Sequence, residues 1–145
     1  MRHRTPIIGL LIATALLVSC AGGEQATAGA AASMPACAPS EAAISSPPAL
    51  PATLPLPPGT VLNLVHESSA GATIIFGVIP LSLSDAAGFF VDQIPRAGFE
   101  LGPGDAEQDE AEAVFSGPGV DGQWKVHSIL DCADAVTLNL AIIRR

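Results

Sequence analysis

The stretch SDAAGFFVDQIP, residues 84–95, decides the fold, because here the apolar period changes from two to 3.6. Ala87, Phe90, Val91 and Ile94 recur at i, i+3, i+4 and i+7, the spacing of one buried face of an amphipathic helix. Asp92 and Gln93 fall on the wet side, and Phe89 sits at the edge of the stripe. Ser84 is expected as the N-cap, its hydroxyl accepting an orphan backbone N–H, with Asp85 complementing the helix dipole in the first turn. Pro95, which has no N–H, should kink or finish the last turn. Gly98 is the expected stop.

On either side of this helix the pattern is that of strands. Upstream, TVLNLVHE (residues 60–67) alternates, with Leu62, Leu64 and His66 on one face and Val61, Asn63 and Val65 on the other. A Ser-Ser-Ala-Gly turn leads to ATIIFGVI (72–79), rich in β-branched residues, so the two should form an antiparallel hairpin. Downstream, a short strand is expected over Phe99–Gly102 and a loop over Pro103–Asp109. A strand over Ala111–Phe115 follows, with Ala111, Ala113 and Phe115 facing together. Gly117-Pro118-Gly119 and Asp121-Gly122 signal a turn. QWKVHSIL (123–130) sets Trp124, Val126, Ser128 and Leu130 against Gln123, Lys125, His127 and Ile129. After a turn over Asp131–Ala135, Val136, Leu138, Leu140 and Ile142 line one face of the last strand. The order β-β-α-β-β-β-β argues for an α+β fold, a small antiparallel sheet with one helix packed on one face. The other face, carrying Thr137, Asn139, Lys125 and His127, is left to water or a ligand.

The first 57 residues read differently. MRHRTPIIGLLIATALLVSC, residues 1–20, has a basic start at Arg2 and Arg4, then a nearly continuous apolar run from Pro6 to Val18. That run is shorter than the ~20 residues of a transmembrane helix and fits the core of a secretory signal. Arg2 and Arg4 are not adjacent, so the twin-arginine form does not apply. Leu17-Val18-Ser19-Cys20 resembles the lipobox of bacterial lipoproteins: an aliphatic residue, two small or aliphatic residues, then cysteine. The resemblance covers residues 1–22. It implies that residues 1–19 are a signal peptide cleaved before Cys20, that the Cys20 sulfur carries a diacylglyceryl group, and that the new N-terminus receives a further acyl chain such as palmitate. Two or more chains anchor stably where one does not. The expected location is the extracytoplasmic side of the cell membrane or outer membrane. Residues 20–57, dominated by Ala, Pro, Ser and Gly, read as the lipidated cysteine and a disordered Ala/Pro-rich tether. The α+β domain is expected over residues 58–145.

Lipidation of Cys20 leaves Cys37 and Cys132, an even remainder in a compartment where disulfides persist, and so one expected bridge. It would draw the tether beyond Cys37 against the domain. Neither cysteine has a CxxC partner, which weakens redox and structural-zinc readings.

Fourteen Asp and Glu against six Lys and Arg give a net charge of −8. After signal removal Arg96, Lys125, Arg144 and Arg145 are the fixed cations. That excludes the clustered basic surface of a nucleic-acid binder and disfavours electrostatic adhesion to anionic lipid. Asp105, Glu107 and Asp109 have the alternating spacing that opens a calcium loop, but the turn glycine and the closing bidentate Glu are missing, Glu110 and Ser116 standing in their places. A solvated acidic loop is the expectation there. His66 and His127 lie on different strands and lack an evident third ligand for a metal. No G-x-S-x-G elbow or phosphate loop occurs, so no catalytic residue, metal or cofactor is assigned. Trp124 reads as a core residue. The expected function is a membrane-anchored binding or interaction domain, with an envelope protein as partner. The alternatives are a small-ligand-binding lipoprotein with a pocket between helix and sheet, and an atypical envelope hydrolase.

Overall fold

The computed structural model describes residues 33–145, and within them alternating apolar residues form six strands and one helix. In chain order these are β1 (Val61–Glu67), β2 (Thr73–Ile79), α1 (Leu83–Arg96), β3 (Glu100–Ala106), β4 (Glu110–Gly117), β5 (Val120–Ile129) and β6 (Cys132–Arg144). They form one sheet in the order β1-β2-β6-β5-β4-β3. Every neighbouring pair is antiparallel. The expected α+β class and element order hold. Residues 1–19 and Cys20 lie outside the described residues.

One face of the sheet is the core. Ile75 and Ile79 of β2, Val136, Leu138, Leu140 and Ile142 of β6, Trp124 and Val126 of β5, and Ala111, Ala113 and Phe115 of β4 are buried together with Ala86, Phe90 and Ile94 of α1. Phe90 stacks on Trp124 with ring centroids 5.1 Å apart. Gly122 is required on β5 because the Phe115 ring lies over it: a Cβ there would stand 2.3 Å from Phe115 Cζ and 2.7 Å from the Ala141 carbonyl oxygen.

The helix starts two residues earlier than its apolar stripe indicates. Ser82, not Ser84, is the N-cap: its Oγ accepts the Asp85 N–H at 3.2 Å and donates to Asp85 Oδ2 at 2.7 Å. The Asp85 N–H bond is one half of a capping box; the Asp85 carboxylate accepts from the Ser82 hydroxyl in place of the Ser82 backbone N–H. Pro95 does not end the helix, which runs on to Arg96. Gly98 does the stopping, at φ 87°. Its N–H reaches the Pro95 carbonyl at 3.1 Å and the Phe99 N–H the Ile94 carbonyl at 3.2 Å, the paired bonds of a Schellman motif. Val91, expected in the buried stripe, is 49% exposed.

Three strand readings need correction. A bulge between Leu62 and Leu64 shifts the β1 register, so Leu62 opposite Gly77 and Val65 opposite Ile75 share the core face, while Leu64 turns out to solvent. Alternation counted through Asn63 therefore puts Leu62 and Leu64 together wrongly. The loop expected over Pro103–Asp109 is largely strand: β3 continues to Ala106, with a register shift between Leu101 and Gly104. Pro103 is tolerated because β3 is a sheet edge, where its missing N–H breaks no ladder. Finally, the turn between β5 and β6 is just Leu130-Asp131, Asp131 taking φ 59°, so β6 begins at Cys132 and Leu130 is 89% exposed instead of facing with Trp124.

The folded body also begins well before residue 58. The helix lies across β3, β4, β5 and β6, leaving the β1–β2 side of the core to be covered by something else. Leu54 is buried, and Leu50 and Leu56 pack against the same core. Turns with N–H to C=O bonds from Leu50 to Pro47 and from Leu54 to Pro51 shape this strap, and the Ile44 N–H bonds the Leu62 carbonyl of β1 at 2.8 Å. Proline forbids a helix here but does not forbid docking. Leu54→Ala is expected to cost about 2–3 kcal/mol in urea denaturation, by lost burial and a residual cavity. A solvated tether predicts no change.

Candidate functional site

The sheet face away from α1 is built in rows that the strand register sets. Glu100, Ser116, Asp121 and Ile143 lie side by side across β3, β4, β5 and β6; Val114, Gln123 and Ala141 form the next row. Together they line a shallow trough of about 470 Å³. Val114 and Ile143 are its half-exposed apolar floor. Farther along, Asp105, Glu112, Lys125 and Asn139 line up, followed by Glu110, His127 and Thr137. The expectation that Thr137, Asn139, Lys125 and His127 occupy the helix-free face is met.

The charges on this face are largely tied up. Lys125 Nζ lies 2.8 Å from Glu110 Oε1 and 2.8 Å from Glu112 Oε2. Hydrogen bonds to Glu110 and then Glu112 hold its ammonium group above the ordinary lysine range, so it stays protonated throughout the physiological range. Arg145 pairs with Asp121 at 2.9 Å, and His127 Nε2 stands 3.4 Å from Asp109 Oδ2. Glu100, Asp105 and Glu107 make no ion pair among the described residues, which leaves the trough and the β3 edge acidic.

Cys37 and Cys132 form the expected disulfide, with Cα atoms 5.5 Å apart. Cys132 is buried with Ala38, Val78 and Ala135. The bridge thus pins the start of the strap beside the β2–β6 end of the helix-free face.

The other candidate ligands are not brought together. His66 is on β1 and His127 on β5, with β2 and β6 between them, so they stand about 14 Å apart across the sheet and farther along it. Asp105 belongs to β3, its Oδ1 accepting the Ala106 N–H, whereas Glu107 and Asp109 belong to the hairpin connection. Among the described residues no group of three or more His, Cys, Asp or Glu side chains is placed to hold a metal ion. No helix among them is long and apolar enough to cross a membrane. The sequence reading missed the trough, since Val114 and Ile143 are brought together only by strand register. The architecture is that of a small α+β domain with one covered and one open sheet face. No protein-family model matches the chain, and no curated protein or solved structure does either.

Proposed function

We propose that the protein is a membrane-anchored extracytoplasmic lipoprotein whose α+β body acts by binding, with the open sheet face and its acidic, apolar-floored trough as the contact surface for an envelope partner. The observation that carries this reading is Leu17-Val18-Ser19-Cys20 at the end of an apolar run behind a basic start. The pairing of Cys37 with Cys132 supports it, because it accounts for the other two of the three cysteines and fits an oxidising compartment. Cys20→Ser, expressed in a bacterial host, is expected to move the protein from the membrane pellet to the aqueous fraction. Mass spectrometry of the wild type should find an acylated N-terminus at Cys20. Retention of the serine variant in the pellet with its leader removed overturns the reading.

A further inference from the structure

The trough on the open sheet face has an apolar floor and a polar rim. On the floor Val114 is 42% and Ile143 49% exposed, with Ala141 two residues from Ile143 on β6. Glu100, Ser116, Asp121 and Gln123 form the rim. A Cβ at Gly102 of β3 would stand 2.7 Å from Val114 Cγ2, so the glycine leaves that flank of the valine open. Apolar contact ringed by polar groups is the anatomy of a protein–protein interface. Lying open on a sheet, the trough cannot enclose a small molecule as a ligand cleft does. It crosses four neighbouring strands, β3, β4, β5 and β6. Three strand spacings make it about 14 Å wide, the length of about four residues of extended chain.

Charge on this face selects the partner. Glu100, Asp105, Glu110, Glu112 and Asp121 stand here against two fixed cations, Lys125 and Arg145. Lys125 is shared by Glu110 and Glu112, and Arg145 pairs with Asp121. Of the other described cations, Arg96 belongs to α1 on the covered side, and Arg144 donates to the Pro48 carbonyl. Glu100 is exposed at the rim and makes no ion pair among the described residues. The surplus is negative, so a complementary surface is positive.

We propose, resting on the reading of the open face as the contact surface, that the trough receives a short basic and aliphatic segment of a protein partner. Its aliphatic side chains cover Val114 and Ile143, and a lysine or arginine sits beside Glu100.

The probes are three acetylated, amidated tetrapeptides: Arg-Leu-Ile-Arg, Glu-Leu-Ile-Glu and Arg-Ser-Ser-Arg. Each is titrated to about 10 mM, the range of weak complexes, into the ¹⁵N-labelled full chain carrying Cys20→Ser. Arg-Leu-Ile-Arg is expected to shift the backbone amides of Val114, Ser116, Gln123 and Ile143 saturably. It should bind about tenfold more tightly than either of the others, which lack the charge or the apolar area. Glu100→Lys and Val114→Gln, both at exposed positions, should each weaken it by about threefold to tenfold while the remaining amide resonances stay in place. Trough amides unmoved by every peptide, undiminished binding to both variants, or shifts that appear on concentrating the protein alone, the mark of a second copy as occupant, overturn the proposal. Equal binding of Glu-Leu-Ile-Glu at the same amides overturns the basic partner but keeps the trough as the contact surface. Shifts that fall elsewhere on the domain overturn both. None of these outcomes bears on the membrane fractionation of Cys20→Ser.

Discussion

Replacing both cysteines of the bridge, Cys37→Ala with Cys132→Ala, is expected to lower the unfolding free energy by about 4–5 kcal/mol. The magnitude follows from loop length. The bridge spans 95 residues, so the cross-linked unfolded chain is denied much of its freedom. Alanine is the right replacement because Cys132 is buried among Ala38, Val78 and Ala135, where a serine hydroxyl would add a cost of its own. Small domains have about 5–15 kcal/mol in all, so the loss is a large share of the total. Urea denaturation should show a lower midpoint and a steeper m-value, since the unfolded state expands once the link is gone. A loss below about 1 kcal/mol would mean that residual structure in the unfolded chain, and not closure of the loop, governs how the strap is held.

Trp124→Ala is expected to destabilise by about 3–5 kcal/mol. Trp124 is 2% exposed, stacks on Phe90 and pairs across the sheet with Ala113 and Leu140. Truncation would remove the largest buried side chain and leave Phe90 without its stacking partner, a contact that itself contributes about 0.5–1.5 kcal/mol of that loss. The variant has no tryptophan fluorescence to follow, so its unfolding must be monitored by far-ultraviolet circular dichroism. A change smaller than about 1.5 kcal/mol would place the indole outside the packed core.

The order of the elements was legible because most strands carry one clean apolar face. Val136, Leu138, Leu140 and Ile142 are read correctly from period alone, and all four are buried. The errors fall where that period is interrupted. The bulge at Asn63 inserts one residue, and alternation counted through it exchanges faces for all that follows. Gly102, Pro103 and Gly104 look like loop, but at a sheet edge a proline costs little and the strand persists through it. Ser82 and Ser84 are equally good caps by composition; what separates them is that Asp85 lies three residues after Ser82 and can return its hydrogen bond. Leu54 was hidden by its prolines, because composition reports whether a segment can be helical, not whether its leucines find a core. The trough and the groove between α1 and β3 were illegible for a related reason. Both are made by residues far apart in the chain, brought together by strand register and helix packing.

Both margins of the sheet are blunted, in different ways. On one side the Ile44 N–H occupies a carbonyl of β1. On the other, Pro103 and its shifted register interrupt β3. Neighbouring copies therefore meet edges that are interrupted on both sides, which disfavours strand-to-strand extension. A protein held at high density on a two-dimensional support would benefit from such protection, since every encounter there is repeated many times.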